Sequence, residues 1–258
     1  MPALKPRLLT RRTLLAHFEH ADPKMARLIE IAGPYRLRPK EYASPFRHLA
    51  EAIASQQISG AAARSILRRF IAVCGGDPLD ALSFPAPETV LTLDSQMLRA
   101  AGLSAAKVMA LQDLARKTLS GVVPNTQALL ELDDEAIVER LVAVRGIGRW
   151  TVQMMLMFQL GRPDVLPSDD YGVRNGFKLL FKKRDLPTPG ELARHGARWA
   201  PYRSAAAWYL WRAVDLAKAG KLTSALADAR AARSPPPDGR TPTRRRRGSR
   251  SRAPTSKK

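Results

Sequence analysis

The chain has 258 residues, enough to bury a substantial core in one large or two small domains. Lys and Arg number 43 against 23 Asp and Glu, a formal net charge of +20, which points to a polyanionic partner, nucleic acid before anionic membrane. One cysteine, Cys74, and four scattered histidines exclude an internal disulfide and a cysteine-held zinc or iron–sulfur centre, and leave no metal site to expect from side chains.

No apolar run approaches the roughly 20 residues that span a bilayer. The basic start, Met1 to His20, lacks the apolar region of a signal peptide. The expectation is a soluble intracellular protein with no membrane partner, cytoplasmic and nucleoid-associated if bacterial.

From Leu49 to Val73, apolar residues recur at helical spacing (Leu49, Ile53, Ile66, Leu67, Phe70, Ile71), with a break near Ser59-Gly60. Ser104 can cap a helix whose face carries Val108, Leu111 and Ala115. Asp133 and Asp134 precede a stripe of Ile137, Leu141 and Val144, and that helix is expected to end near Val144 or Arg145. A second helix should begin near Gly148 or Arg149 and carry Trp150, Thr151 and Met154. Between them, Gly146 and Gly148 flank Ile147 in a tight turn.

Glycines there permit backbone angles that other residues resist and leave N–H groups uncovered beside a helix start, which suits an anion such as phosphate. Arg145 and Arg149 reinforce the sign. A G-x-G turn between buried helices also occurs without a ligand.

Further on, Val165 to Arg174 reads VLPSDDYGVR, before a helix expected over Tyr171–Phe181. Asp169 and Asp170 at that start either cap the helix or do chemistry; spacing alone leaves both open. They point about 100° apart, so one at most faces a given ligand. Thr188-Pro189-Gly190-Glu191 reads as a capping box, and Ala205 to Lys218 as another helix, with Trp208 and Tyr209 assigned to the core.

Residues 231–258 are rich in Pro, Ser, Thr and Arg, with ten Lys/Arg and one Asp, which leaves residues 1–230 at +11. This tail is expected to be disordered and to add salt-sensitive phosphate affinity. With strand alternation scarce, residues 1–230 read as an all-α domain.

Taken together, LVAVRGIGRWT (Leu141–Thr151), the Asp170 loop, IASQQISGAAARSI, AGLSAAKVMALQDLA and PYRSAAAWYLW resemble the helix-hairpin-helix (HhH-GPD) DNA glycosylases, in particular the 3-methyladenine DNA glycosylase II group. The resemblance spans roughly residues 20–215. One group member has an extra N-terminal β-rich domain, and no such domain fits before residue 40 here. The resemblance implies a two-lobed helical fold with a DNA-binding cleft, a hairpin over 134–158 and a catalytic loop over 161–171.

It also implies roles. Asp170 is the catalytic carboxylate. Trp150 and Trp211 fall at base-pocket positions, and Met154 stands where some relatives have a pocket aromatic. Gln57 matches the residue that enters the DNA stack. Arg145, Gly146, Ile147, Gly148, Arg149 and Thr151 form the DNA-binding hairpin, whose backbone carbonyls would hold a monovalent cation.

The implied reaction is hydrolysis of the N-glycosidic bond of alkylated purines in duplex DNA by a monomer. Some relatives carry a Schiff-base lysine where Trp150 stands, so no strand cleavage is expected. Glycosylases for oxidised or mismatched bases, and a non-enzymatic DNA-binding protein, are the competing readings.

Overall fold

A computed structural model describes residues 9–40, 44–80 and 82–222, and the basic tail over 231–258 lies outside the described residues. Among the described residues the structure is helical and has no strand. The helices are α1 (Arg11–Ala21), α2 (Pro23–Ala32), α3 (Pro45–Ser55), α4 (Gly60–Val73), α5 (Pro87–Thr92), α6 (Ser95–Ala100) and α7 (Ala105–Leu119). They continue with α8 (Thr126–Glu131), α9 (Asp134–Leu141), α10 (Arg149–Phe158), α11 (Tyr171–Phe181), α12 (Pro189–Gly196), a 3-10 turn (Ala197–Trp199) and α13 (Arg203–Lys218).

Short polar side chains set most helix starts. Ser59, Ser104 and Asp133 each accept the N–H three residues on, and Thr188 with Glu191 closes the expected capping box. Each such cap contributes about 0.5–2 kcal/mol. The expected breaks at Ser59-Gly60 and at the hairpin are therefore present. One boundary differs: α9 ends at Leu141, before the position that its apolar stripe suggested. Val144 is buried as predicted, but from a turn in which Val144 N–H reaches Leu141 O and Ile147 N–H reaches Val144 O. A buried residue need not be helical when a tight turn delivers it to the same face.

The helices form two lobes. In one, α1 and α2 pack with α11, α12 and α13, joining both ends of the described chain. Asp22 fixes that union. It caps α2 through Met25 N–H, and its Oδ2 lies 2.8 Å from His195 Nε2 and accepts from Trp199 Nε1 at 2.9 Å. In the other lobe α7 is central, packed by α3, α5 and α6. Helix α10 pairs with α9 and leans on α3. The Phe158 carbonyl at its end accepts from Lys40 N–H at 2.8 Å.

The tightest approach is between α11 and α13. A Cβ on Gly176 would lie 2.1 Å from the Leu210 carbonyl oxygen, so backbone meets backbone there. Fully buried Ala205, Ala206, Ala207 and Ala213 keep the α13 side equally slim. Gly176→Ala is therefore expected to force the helices apart and lower stability by about 1–3 kcal/mol. Gly190→Ala, where nothing lies within 4 Å, should be near neutral. Thermal melts of the two variants check the contrast.

Candidate active site

The loop over residues 161–170 owes its shape to the first turn of α13. Arg203 grips Asp164 through two parallel bonds, Nε to Oδ1 at 2.7 Å and Nη2 to Oδ2 at 2.8 Å. Ser204 Oγ donates to Arg162 O at 2.7 Å and accepts from Val165 N–H at 2.9 Å. The loop then delivers Asp170 as the N-cap of α11. Asp169 stands exposed beside it, so Asp170 and not Asp169 is the cap.

Three N–H donors reach the half-buried Asp170 carboxylate. Oδ1 accepts from Val173 N–H at 2.8 Å and from Trp211 Nε1 at 2.8 Å, and Oδ2 accepts from Trp150 Nε1 at 2.8 Å. A carboxylate offers about four lone-pair directions. Among the described residues three are used, and the remaining one belongs to Oδ2.

The position of Trp211 depends on Gly172. A Cβ there would lie 2.7 Å from Trp211 Cδ1 and 3.1 Å from Asp170 Oδ1. Phe158 stacks on Trp211, with ring centroids 5.9 Å apart. Trp211 therefore holds the carboxylate, and the adjacent recess is lined without it. Its indole is tied down by the Phe158 stack and the Asp170 bond. Trp208 and Tyr209 pack with Tyr35 as core residues, as expected.

The recess opens between α3 and α10. It encloses about 420 Å³ and is lined by His48, Ala52, Ser55, Gln56, Gln57, Trp150, Thr151 and Met154. Trp150, about half exposed at 48%, belongs both to this wall and to the Asp170 cluster. Met154 also lines the wall. Gln57 sits at the mouth, exposed and with a left-handed backbone (φ 59°), a conformation strained for a side chain of its type.

In the hairpin turn, Gly146 takes φ 77° and needs to be glycine. Gly148 does not. Its φ is −100°, and a Cβ would find nothing within 4 Å, so the chain itself leaves that space to whatever approaches from outside. Gly148 starts α10 without any side-chain cap, which leaves first-turn N–H groups without a capping partner.

The other hairpin residues divide. Ile147 is buried at 4% and anchors the turn, so only its backbone can face a ligand. The Thr151 side chain is likewise buried. Arg145 is exposed, but its N–H is already taken by Asp113 Oδ2 at 2.8 Å. Arg149 bends back to Glu135 through two bonds, which lowers the Glu135 pKa and raises that of Arg149. Two of its five N–H donors are committed to that partner.

Sequence reasoning missed His48, Gln56, Asp113, Lys117 and Gly172. Two signals for them were present: the glycine pair four residues apart in YGVRNG, which marks a close helix contact, and the i,i+4 pair Asp113–Lys117. Nothing in the sequence singled out His48. The described residues contain no cluster of three or more His, Cys, Asp or Glu able to hold a metal.

Comparison with known proteins places this arrangement. Residues 50–201 match the family model described as HhH-GPD superfamily base excision DNA repair protein. The chain is 39% identical over 202 residues to DNA-3-methyladenine glycosylase 1 of Schizosaccharomyces pombe, covering 78% of this chain and 86% of that one. It is similar to the structure of a 3-methyladenine DNA glycosylase from that yeast in complex with abasic DNA, with TM-score 0.65 and 37% identity over 77% of this chain and 95% of that one. It is also similar to DNA-3-methyladenine glycosidase from Bacillus halodurans, with TM-score 0.73 and 31% identity over 84% and 95% of the two chains.

Burial in the recess wall pushes the His48 imidazole from 6.5 down to about 4, with Lys40 adding a smaller push the same way. The unfolded chain therefore binds this proton before the folded one does. The stabilisation is complete above the unfolded value and is lost as pH falls from about 6.5 to about 4, by about 3 kcal/mol. Urea denaturation across that range should show the slope, and His48→Gln should flatten it.

Proposed function

The chain belongs to the HhH-GPD superfamily of base excision DNA repair proteins, and from that premise we propose that it is a monofunctional DNA glycosylase. It hydrolyses the N-glycosidic bond of alkylated purines of the 3-methyladenine and 7-methylguanine type in duplex DNA, as a monomer. The observation that carries this reading is the Asp170 carboxylate, fixed by two indole N–H groups beside a recess whose wall is one of those indoles.

Ordinary glycoside hydrolysis takes two carboxylates, because the leaving oxygen must be protonated. An alkylated purine already carries positive charge and departs as a neutral base, so a general acid is unnecessary. The sugar, which gains oxocarbenium character, must still be stabilised, and a water must be positioned to trap it. Asp170 Oδ2 keeps a lone pair for that work, while Oδ1 is fully used in holding the group still.

The recess receives the base once it leaves the stack. The Trp150 face attracts a cation by about 0.5–2 kcal/mol, which favours alkylated over normal bases. That difference is modest, so the good leaving group supplies much of the discrimination. His48 in the wall is neutral near pH 7 and adds no charge against a cationic base. Gln57, exposed in its strained turn beside the recess, would fill the vacated stack. Trp150 stands where a Schiff-base lysine would be needed, so water is the nucleophile and an abasic site is the product.

The open start of α10 and the space above Gly148 suit a DNA phosphate. A hairpin cation fits the donor chemistry, since the turn is rich in backbone carbonyls. Three of these, Ala143, Val144 and Gly146, already accept from Lys117, Ile147 N–H and Gln56. The remaining carbonyls over residues 142–147 would hold the ion, which would supply positive charge for a DNA phosphate.

Incubating the protein with methylated duplex DNA and identifying the released bases by mass spectrometry tests the reading. Asp170→Asn should keep affinity for an abasic duplex and lose base release by about 10²–10⁴-fold. Unchanged release by that variant would remove Asp170 from the reaction. Trp211→Phe keeps the stack on Phe158 but deletes one donor to Oδ1. It should lower the release rate by about tenfold and leave abasic-DNA binding intact; single-turnover kinetics separate the two.

A further inference from the structure

Helix α7 holds both turns that flank the recess from behind. Near its start, Lys107 donates to the carbonyls of Ala54 at 2.8 Å and Gln56 at 2.9 Å, gripping the end of α3. Gln56 Nε2 in turn donates to the Gly146 carbonyl at 2.8 Å, which ties the α3–α4 turn to the hairpin. Near its end, Asp113 Oδ2 accepts from Arg145 N–H at 2.8 Å and from Lys117 Nζ at 2.8 Å. Lys117 also donates to the Ala143 carbonyl.

Asp113 is thus a carboxylate set directly behind the turn that faces DNA phosphate in the reading above. Desolvation raises its pKa, but the bonds from Arg145 N–H and Lys117 outweigh that and hold it below the usual carboxylate range. An anion there has two opposed effects. Its hydrogen bond fixes the turn, and its charge repels phosphate. The Lys117 ammonium touches the same oxygen, and both side chains are mostly buried, at 28% and 21% exposure. It also bonds the hairpin backbone, so it is directed inward.

We propose that Asp113 and Lys117 act as a paired positioning device for the DNA-binding turn: Asp113 fixes the hairpin backbone at Arg145, and Lys117 cancels the charge that Asp113 would present to phosphate, without itself touching DNA. The proposal rests on the reading of residues 143–148 as the DNA-facing turn. It separates Lys117 from the many surface cations of a chain with net charge +20. A surface cation acts by meeting phosphate, whereas Lys117 acts through Asp113.

The test uses the full chain and measures anisotropy with a fluorescent duplex carrying an abasic-site analogue, over a salt series. Lys117→Met should weaken binding about three- to tenfold, since it strands a half-buried carboxylate behind the turn. Asp113→Asn combined with Lys117→Met should return to within about twofold of wild type, because the amide oxygen still accepts Arg145 N–H and no charge remains to cancel. The slope of log K against log salt should be unchanged in Lys117→Met, whereas loss of a direct phosphate contact would reduce it by about 0.9.

Should Lys117→Met alone fail to fold, the double variant against wild type carries the test, and those two must bind within about twofold of each other. A weaker double variant overturns the pairing and makes Lys117 an ordinary DNA contact. Wild-type protein that fails to bind the abasic duplex at all overturns the DNA-facing reading of the hairpin, and this inference with it.

Discussion

The contact between Gly176 of α11 and the Leu210 carbonyl of α13 governs the site. Because the two backbones touch, α11 has no freedom to slide along α13. One turn earlier, Gly172 brings the same helix face against the Trp211 ring. Asp170, at the start of α11, therefore meets a ring that projects from α13 at a fixed height. The first turn of α13 meanwhile clasps the preceding loop through Arg203 and Ser204. One helix thus sets the register of the loop, the helix that follows it and the indole that holds its first carboxylate. A rigid element is the right place for such a constellation, since catalytic groups lose effect steeply when displaced by about 1 Å.

The sequence left Asp170 with two alternatives, capping or chemistry. The structure shows the cap, and the geometry leaves the proposed chemistry compatible with it. Oδ1 caps α11 through Val173 N–H and accepts from Trp211, while Oδ2 faces Trp150. Capping is what aims the second oxygen. Functional residues often sit in environments that disfavour them and lower stability, whereas this carboxylate contributes to stability through the bond that orients it.

What was legible in the sequence followed from local rules. Caps at Ser59, Ser104, Asp133 and Thr188 announce helix starts because their partners lie three residues away. The apolar stripe of α9 gave its buried face but overran its end, since burial at Val144 is satisfied from a turn as well as from a helix. Asp170 and Trp150 were legible through the hairpin and loop that carry them. The role of Trp211 was only half legible: its position suggested a base wall, but whether an indole presents its face to a ligand or its N–H to a carboxylate depends on the Gly172 gap and the Phe158 stack. Gly148 divides in the same way. The sequence offers it both backbone freedom and uncovered N–H groups; its backbone angles are ordinary, and only the second reading, the open space beside an uncapped helix start, describes it. His48 and Gln56 were invisible because their meaning comes from what α10 and the hairpin bring to them across the fold.

Charge acts here at two ranges. The overall excess of +20 creates a long-range attraction for a polyanion. The cations nearest the site are instead committed to structure: Arg149 to Glu135, Arg203 to Asp164, Lys117 to Asp113, and Lys107 to the carbonyls at the end of α3. On the proposed reading, a phosphate arriving at the hairpin meets backbone N–H groups at the start of α10 and a turn already held in shape, with the exposed Arg145 side chain as the cation still to be ordered. Ordering long, free side chains on binding costs about 0.5–1.5 kcal/mol each. Pairing them beforehand moves that cost into folding. Attraction is left to the distributed charge of the surface, and geometry to a small set of neutralised pairs.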